Sequence, residues 1–274
     1  MVQNEVSIVI VNYNTFNLTC DCVDSIIKNE PTLRYEIIII DNASTEIAAP
    51  EFKKIFPQIT LIESKENIGF AKGNNMGIDR ASGEYILLLN SDTILLNNAV
   101  SIALEFLHKH YQVSAVAGRL EFPNGKIQHN CQRFPNIKYQ LIELFRLQKV
   151  FPELKKKLFG PFFNYKEIAY PDWIWGTFFM FRKSILNELA YKKLADDFFM
   201  YVEDMQWCME FSLRGYKIAF VPQAHVMHLM GSSGAAKNEL IENNHSAFMK
   251  MYYSGWKRVI INFLKKLLTF RHAG

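Results

Sequence analysis

Four small polar residues, Asn90–Thr93, separate two apolar runs in the segment EYILLLNSDTILL. A buried strand that ran on into another apolar element would not need this interruption. Carboxylate and other side-chain oxygens are the ligands that Mg²⁺ and Mn²⁺ prefer, and such a cation can bridge the oxygens of a diphosphate. The triplet Asn90-Ser91-Asp92 at a strand end therefore favours a site for a cation and a phosphorylated ligand.

Two adjacent carboxylates, Glu203 and Asp204, stand at the predicted start of a helix. A carboxylate in a site can remove a proton from an attacking hydroxyl group. The positive end of the helix dipole also stabilises acidic residues in a first turn, so the general-base and helix-cap interpretations both remain open. His225 and His228 are likewise open between a ligand site and ordinary surface or core positions.

Short apolar segments alternate with helical patterns in the first half of the chain. The predicted strands are Val6–Tyr13, Tyr35–Asn42, Ile59–Ser64, Glu84–Asn90 and Val113–Gly118. The predicted helices are Leu18–Lys28, Pro50–Phe56, Gly69–Ala81 and Asn97–His110. Strands that are apolar throughout and alternate with helices indicate an α/β fold with a parallel sheet covered on both faces.

Polar residues recur where these strands end. They are Asn12 and Asn14 after the first strand, Asp41 and Asn42 after the second, and Asn90 and Asp92 after the fourth. Asn and Asp are common turn residues, which is a sufficient explanation at any one position. Because right-handed crossovers bring the carboxyl ends of the strands to one edge, where ligands bind in open sheets, three such ends together predict one polar crevice.

The second half of the chain has a different pattern. Leu120–Asn136 predicts a hairpin with Asn-Gly at its turn. Tyr170–Leu186 predicts a strand followed by the start of a helix, and Asp196–Pro222 predicts an acidic loop, an amphipathic helix and a strand. The stretch Ile137–Lys166 is basic and aromatic and predicts no specific role.

Composition and absent motifs narrow the class of protein. The 274 residues are 49% hydrophobic and 14% aromatic, which suffices for a large core and argues against disorder. The sequence contains no P-loop, no dinucleotide-binding GxGxxG, no GxSxG and no HExxH. Four cysteines without metal spacing indicate free, mostly buried thiols in a reducing compartment. No signal peptide is expected from this sequence. No apolar run in it approaches the roughly 18 residues that a membrane-spanning helix needs.

The chain resembles glycosyltransferases of family 2 with the GT-A fold, close to a bacterial rhamnosyltransferase-like branch. The matching stretches follow in order over Ser7–Ser233: SIVIVNYNT, IIIIDNAST, NIGFAKGNNMGI, ASGEYILLLNSDT, GTFFMFRKS, FFMYVEDMQWC and AHVMHLMGSS. The set is specific, although any one stretch alone would be weak. It implies a Rossmann-like, mostly parallel central sheet with helices on both faces.

The resemblance implies a role for each matching position. The family's metal-binding Asp-x-Asp motif is here Asn90-Ser91-Asp92, so Asp92 would bind Mn²⁺ or Mg²⁺, and His228 would complete the metal or diphosphate site. Asp204 matches the general base, with Glu203 beside it. The residues expected to hold the nucleotide-sugar are Asn12, Asp41, Asn42, Asn67, Gly69, Phe70, Ala71, Asn75, Asn90, Ser91 and Trp175.

Two positions depart from the family pattern. Gln206 stands where the family often has a further Asp, and Glu210 stands where it often has Arg. Because these positions can touch the acceptor or order the helix, the identity of the acceptor is the least determined part of the assignment. Aromatic rings stack on sugars, so one of Trp173 and Trp175 is expected beside the acceptor and the other in the core.

The segment Gly255–His272 predicts an amphipathic helix. Its apolar face is predicted to hold Trp256, Ile260, Phe263, Leu264 and Leu267, and the basic residues around it are Lys257, Arg258, Lys265, Lys266 and Arg271. Such a helix can lie on an anionic membrane surface, or it can pack on the domain with a solvated basic face. We therefore divide the chain into a glycosyltransferase domain, 1–235, and a C-terminal helical extension, 236–274.

Together these features predict an inverting, metal-dependent glycosyltransferase. It would move a sugar from dTDP-rhamnose or a UDP-sugar to a hydroxyl of a growing, lipid-linked cell-surface glycan, and nucleic acid is not expected as a partner. The expected location is the cytoplasm or the cytoplasmic face of a membrane. The alternatives are an inactive glycan- or nucleotide-sugar-binding domain and a sugar-phosphate nucleotidyltransferase, although the latter usually has a Gly-rich, basic loop where this chain has VNYNT.

Overall fold

The computed structural model describes residues 4–229 and 235–273. Its strands are β1 (Val6–Asn12), β2 (Tyr35–Asp41), β3 (Thr60–Glu63), β4 (Tyr85–Asn90), β5 (Thr93–Leu95), β6 (Val113–Glu121), β7 (Cys131–Gln132), β8 (Trp173–Ile174), β9 (Phe178–Arg182) and β10 (Lys217–His228). Its α-helices are α1 (Phe16–Asn29), α2 (Glu51–Ile55), α3 (Phe70–Arg80), α4 (Ala99–Lys109), α5 (Ile137–Leu144), α6 (Leu147–Val150), α7 (Glu153–Leu158), α8 (Glu203–Leu213), α9 (Ala235–Tyr252) and α10 (Gly255–Ala273).

A mixed eight-stranded sheet forms the centre of the molecule. Its strand order is β3-β2-β1-β4-β9-β6-β10-β5, and β7 and β8 form a separate antiparallel pair. The strands β3, β2, β1 and β4 are parallel neighbours, and β6 is parallel to β10. Only β9 and β5 run antiparallel to their neighbours in this sheet. The predicted mostly parallel α/β sheet is confirmed.

The helices cover both faces of the sheet and bury two apolar layers. One layer packs α1 and α4 on one face, and the other packs α3 and α8 on the opposite face. Close approach of α3 to the sheet explains its small residues, because a Cβ added at Gly77 would lie 2.4 Å from Cγ1 of Val9. Gly73, where a Cβ would lie 3.1 Å from Cγ1 of Val11, and Gly77 therefore serve helix–sheet packing in this fold.

Three local features differ in detail from the predictions. The predicted hairpin forms but is short: the turn at Asn124-Gly125 is followed by the bridge Glu121–Ile127, with backbone hydrogen bonds from Phe122 N–H to the Lys126 carbonyl and from Gln128 N–H to the Leu120 carbonyl. The chain then leaves β6 to pair with β8 as β7. The Tyr170–Leu186 region forms two strands where one was predicted, and the predicted helix start is a 3₁₀ helix at Lys183–Glu188. The unpredicted strand β5 follows Asp92, since Thr93 to Leu95 pair with β10.

The last two helices pack on the rest of the molecule. Phe248 and Met249 of α9 and Ile261 of α10 form one apolar cluster with Phe198 and with Met205 of α8. The helix α10 also lies against α5. No helix within residues 4–229 and 235–273 is both long enough and apolar enough to span a bilayer.

The faces of α10 differ from the predicted arrangement. Leu264 is buried, together with Ile261, and so it belongs to the face that packs on the domain. The other predicted apolar residues remain exposed: Trp256, Ile260, Phe263 and Leu267. The helix thus packs through one apolar face and presents a second one to solvent.

Candidate active site

The ends of β1 and β2 bring together two of the predicted site residues. Asn12 and Asp41 are register partners, and both side chains are almost fully buried. Nδ2 of Asn12 donates a 2.7 Å hydrogen bond to Oδ1 of Asp41, and the backbone N–H of Ser44 donates to Oδ2 of Asp41. The Asp41 carboxylate is therefore held in one orientation at the sheet edge.

The amide of Asn42 organises the loop that leads into α3. Its Nδ2 donates to Oδ1 of Asn67 at 2.9 Å and to the carbonyl of Gly69 at 3.3 Å. Gly69 has φ +84°, and a Cβ there would lie 2.4 Å from the carbonyl oxygen of Phe199, to which Phe70 N–H donates at 2.8 Å. A side chain at Gly69 would thus push away the loop around Phe199, so glycine is required both by conformation and by contact.

Three further predicted donor residues lie along α3. Phe70 stacks on Trp207, with 6.2 Å between the ring centroids. Ala71 is fully buried in an apolar cluster. Both ends of the Asn75 amide bond the backbone of Leu194, Nδ2 to the carbonyl at 2.9 Å and Oδ1 to the N–H at 3.2 Å. In this structure Asn75 therefore links the segment around Leu194, which precedes α8, to α3.

The Asn90-Ser91-Asp92 triplet lies between β4 and β5. Oδ1 of Asn90 is buried and has no hydrogen-bond partner among the described residues. Oγ of Ser91 lies 3.0 Å from Oγ1 of Thr15, which donates to Asn12. A buried acceptor without a donor is costly unless a ligand or water satisfies it. The triplet thus presents an unsatisfied oxygen beside the Asn12–Asp41 pair.

Asp92 meets His228 from the end of β10. Oδ1 of Asp92 lies 3.3 Å from Nε2 of His228, and the Asp92 carbonyl accepts the N–H of Leu229 at 2.9 Å. The other residues of the matched stretch HLMGSS, from Met230 onward, lie outside the described residues. The structure therefore brings together the two predicted metal ligands, which are 136 positions apart in the sequence.

Gln128 sets the orientation of the His228 ring. Its Nε2 donates to the backbone carbonyl of His228 at 2.8 Å, and its Oε1 lies 2.7 Å from Nδ1 of the ring. Oε1 can only accept, so Nδ1 carries a proton, and a neutral ring then turns the lone pair of Nε2 toward the Asp92 carboxylate. In that neutral tautomer, Nε2 of His228 and Oδ1 of Asp92, which lie 3.3 Å apart, are a donor set that a divalent cation would fit.

The ligand types bear on which cation fits. Within the described residues, no group of three or more His, Cys, Asp or Glu side chains is placed to hold a metal. A cation at Asp92 and His228 would therefore take its remaining ligands from other oxygens, which are the amide, hydroxyl or backbone oxygens of the protein, a bound molecule or water. An imidazole ligand suits Mn²⁺ better than Mg²⁺, which is bound almost entirely by oxygen.

Glu203 and Asp204 open α8 after a left-handed backbone turn. Tyr201 and Val202 have φ values of +68° and +75°, a region that a β-branched residue such as Val202 rarely adopts. The Asp204 carboxylate accepts the N–H of Gly176 at 3.1 Å and the N–H of Met205 at 2.7 Å. Backbone strain of this kind persists only where the surroundings hold it, and it often marks functional sites.

The two carboxyl groups have raised pKa values. Burial raises the pKa of Asp204 to about 6, although the backbone N–H donors of Gly176 and Met205 oppose the change. Burial and the adjacent Asp204 charge raise the pKa of Glu203 well above its ordinary value, and Oε2 of Glu203 has no hydrogen-bond partner among the described residues. At neutral pH, Asp204 is thus ionised and able to accept a proton.

Two consecutive residues connect the Asp204 carboxylate to the Asn90 triplet. Gly176 N–H bonds Asp204, and the Thr177 carbonyl accepts the N–H of Asn90 at 3.0 Å. Gly176 is closely surrounded, since a Cβ there would lie 3.3–3.6 Å from side-chain atoms of Phe70, Asp204 and Trp207. The acidic start of α8 and the polar end of β4 therefore border the same part of the molecule.

Trp173 and Trp175, of which one was predicted beside the acceptor and the other in the core, are both partly buried. The indole N–H of Trp173 donates to the Arg133 carbonyl at 3.1 Å, and the backbone N–H of Trp175 donates to the Asn130 carbonyl at 3.2 Å. Trp175 packs against the core layer that contains β1 and β4. His225 pairs with Arg119 in the sheet and lies outside the His228–Asp92 contact.

A family model described as "Glycosyl transferase family 2" matches residues 7–190, which is more than half of the chain. The chain belongs to glycosyltransferase family 2. The poly-β-1,6-N-acetyl-D-glucosamine synthase of Staphylococcus aureus strain MSSA476 is 26% identical over 257 residues, which cover 89% of this chain and 57% of the relative. The chain thus spans little more than half the length of that curated relative.

Solved structures of other glycosyltransferases share the fold. The mannosyltransferase PcManGT from Pyrobaculum calidifontis, solved with GDP-mannose and Mn²⁺, has a TM-score of 0.62 at 16% identity and covers 98% of this chain and 70% of its own. GalNAc-T7, solved with UDP, GalNAc and Mn²⁺, has a TM-score of 0.63 at 17% identity and covers 88% and 48%. The fold of this family 2 chain is accordingly GT-A, as the sequence predicted.

Gln206 and Glu210, the two residues that depart from the family 2 pattern, lie on α8 on the side of the C-terminal helices. Nε2 of Gln206 donates to Oδ2 of Asp197 at 2.7 Å and to the hydroxyl of Tyr252 at 3.3 Å, which ties α8 to α9. Burial raises the pKa of Glu210, which is partly offset by Arg214. Gln206 therefore takes part in holding α8 against the C-terminal extension.

Two residues of this site were not found from the sequence. Gln128 lies in the predicted hairpin, and Asn244 lies in α9, where Nδ2 donates to the carbonyls of Met200 at 2.8 Å and Tyr201 at 3.2 Å. Neither belongs to a quoted family stretch, and a single amide residue carries no spacing signal. Only their contacts with His228 and with the loop before α8 identify them.

Proposed function

We propose that this chain is an inverting, metal-dependent hexosyltransferase. It takes a sugar from dTDP-rhamnose or a UDP-sugar and passes it to a hydroxyl of a growing, lipid-linked glycan of the cell surface. The observation that carries the proposal is the Asp92–His228 contact of 3.3 Å, connected through Asn90, Thr177 and Gly176 to an ionised Asp204.

Asp92 and His228 would hold Mn²⁺ or Mg²⁺ together with the donor diphosphate. A cation there would neutralise the charge that develops on the leaving diphosphate. Support comes from the 3.3 Å contact between Nε2 of His228 and the Asp92 carboxylate, and from Gln128, whose Oε1 accepts from Nδ1 and so favours the tautomer that can ligate through Nε2. Both PcManGT and GalNAc-T7 were solved with Mn²⁺.

Asp204 would act as the general base. An inverting transfer needs one base to remove the proton of the acceptor hydroxyl as that oxygen attacks the sugar C1. A carboxylate with a pKa of about 6 is ionised at pH 7 and is a stronger base than an exposed carboxylate. We assign Glu203, whose pKa is raised further, a supporting role as a protonated neighbour.

The nucleotide-sugar would lie at the carboxyl edge of β1, β2 and β4. We retain as donor-binding proposals the polar groups of that edge, the α3 entry loop and the neighbouring aromatic side chain: Asn12, Asp41, Asn42, Asn67, Gly69, Phe70, Ala71, Asn75, Asn90, Ser91 and Trp175. For Ala71 and Asn75 the role is indirect, because Ala71 is buried and the Asn75 amide bonds Leu194. The unsatisfied Asn90 Oδ1 is the atom best placed to contact the ligand directly.

We also propose that the exposed face of α10 rests on an anionic membrane surface on the cytoplasmic side. A lipid-linked acceptor would be met there. The support is the exposed apolar stripe of α10 with basic residues and no acidic residue in that helix.

The test is nucleoside diphosphate release from UDP-, dTDP- and GDP-sugars with Mn²⁺, with Mg²⁺ and with chelator. Slow hydrolysis of one donor that requires metal is expected, with loss by at least about a hundredfold in Asp92→Ala and Asp204→Ala. Wild-type turnover by Asp92→Ala would contradict the metal assignment. No release and no donor binding by calorimetry would favour the inactive binding domain, whereas binding without release would show that the acceptor is required.

A further inference from the structure

Residues 145–157, FRLQKVFPELKKK, follow α5 directly and contain α6 and most of α7. Four of its large apolar side chains are open to solvent: Phe145 (67% exposed), Leu147 (37%), Val150 (70%) and Phe151 (50%). Single exposed apolar residues are common, but a group of them marks a surface that contacts something else. We call this stretch the 145–157 segment.

The charge of the 145–157 segment has one dominant sign. It contains five basic residues and one acidic residue, Glu153, whereas the formal net charge of the whole chain is only +4. Lys156 forms a 2.7 Å ion pair with Glu167, and the other basic side chains are exposed: Arg146, Lys149, Lys155 and Lys157. The segment therefore combines exposed apolar side chains with an excess of positive charge.

The 145–157 segment adjoins the helix that carries the exposed stripe. The helix α10 packs against α5, and α5 packs against α6 and α7 of the segment. The stripe on α10 consists of Trp256, the adjacent pair Val259 and Ile260, Phe263, Leu267 and Phe270, which recur every three or four positions along the helix. Helix α10 contains no acidic residue, and the side chains of Lys257, Lys265 and Lys266 are exposed.

We infer that the 145–157 segment is a second membrane contact, which docks on an anionic bilayer surface together with α10. Protein–protein interfaces are depleted of lysine, while basic residues around aromatic and aliphatic side chains are typical of segments that lie in anionic lipid headgroups. Two contacts, both packed against α5, would fix the orientation of the domain on the surface, which one helix would leave free to rotate. The inference does not depend on the proposed catalytic activity.

Sedimentation with vesicles tests this inference directly. The full chain is mixed with vesicles of phosphatidylcholine alone or of phosphatidylcholine with phosphatidylglycerol. Two variants alter the 145–157 segment, Val150→Ser/Phe151→Ser and Lys149→Glu/Lys155→Glu, and Phe263→Ser/Phe270→Ser alters α10. The matched control, Tyr191→Ser/Lys28→Glu, changes an aromatic residue and a lysine that are equally exposed elsewhere.

We expect the affinity for anionic vesicles to fall at least about tenfold in each of the three variants, since each loses buried apolar area or electrostatic attraction. The control should bind as the wild type does, and phosphatidylcholine alone should bind all proteins weakly. Wild-type binding by both variants of the 145–157 segment, with loss only in the α10 variant, would overturn the inference. So would a dimer in sedimentation velocity that the segment variants abolish, because a second copy would then cover the segment.

Discussion

At the residue scale, the site depends on side chains that orient other side chains. Asp92 and His228 can share a cation only if the imidazole keeps its proton on Nδ1, and Gln128 is the residue that holds it there. Asn12 acts similarly on Asp41. Such outer residues commonly change metal affinity by one to two orders of magnitude when they are removed.

Gln128→Ala should therefore raise the Mn²⁺ concentration needed for half-maximal donor hydrolysis about 10- to 100-fold. The affinity for the nucleotide in the absence of metal should change little, because both side-chain hydrogen bonds of Gln128 to the described residues of this site go to His228. Gln112→Ala is the matched control, since Gln112 is exposed. An unchanged Mn²⁺ requirement would show that Gln128 is structural.

The raised pKa of Asp204 predicts the pH dependence of the reaction. The base must be ionised, so kcat/KM should rise with pH through an apparent pKa of about 6 and then level off. Initial rates between pH 5 and pH 8 at saturating metal would measure this. The range extends from about one unit below the pKa to about two units above it. A profile that is flat over that range would remove Asp204 from the role of base.

At the element scale, α9 supports the loop that leads into α8, the helix that carries the proposed base Asp204. Asn244 donates to the carbonyls of Met200 and Tyr201, directly before Val202, which stands at φ +75°. Phe248 of α9 and Met205 of α8 belong to one apolar cluster, which holds the two helices together near this loop. The C-terminal extension thus supports the site, because it helps to hold the strained backbone at Tyr201 and Val202.

Asn244→Asp should lower kcat about tenfold or more, since a carboxylate keeps the size of the side chain but cannot donate to the two carbonyls. The KM for the donor should stay within about twofold, because the donor-binding residues lie on other elements. Asn243→Asp, the exposed neighbour of the same type, is the control. Equal loss of kcat in both variants, or a rise in donor KM alone, would contradict this role.

At the scale of the whole molecule, the site affects the stability of the fold. Buried carboxyl groups with raised pKa values hold protons in the folded state that the unfolded chain releases. The folded state therefore loses stability as the pH rises from the unfolded pKa values near 4 through the folded ones, by at most about 1.4 kcal/mol for each pH unit and group. Most of this cost is attached to Glu203, whose buried Oε2 lacks a partner among the described residues.

Glu203→Gln should consequently be more stable than the wild type at pH 8, and the difference should shrink as the pH falls toward 4.5. The glutamine has no proton to lose, so its folded state escapes the penalty. Guanidinium unfolding at the two pH values gives the free energies of unfolding, with the exposed Glu242→Gln as control. A constant difference at both values would mean that Glu203 does not titrate with folding.

The sequence alone determined those features that local pattern controls. Apolar β-branched strands separated by amphipathic helices specify a parallel sheet, and a parallel sheet collects its carboxyl ends at one edge. The placement of Asn12, Asp41 and Asn90 at one edge followed from that rule, and the family and GT-A fold followed from ordered motifs. The roles assigned to these residues remain predictions.

The tertiary structure decided what depends on contacts between distant segments. The antiparallel strands β5 and β9 belong to the sheet because they pair with β10 and β4, respectively. No pattern within Thr93–Leu95 or Phe178–Arg182 predicts that pairing. Gln128 meets His228 across 100 positions, and Asn244 meets Met200 across 44. Such single polar contacts leave no periodicity in the sequence, because their partners are chosen by the packing of whole elements.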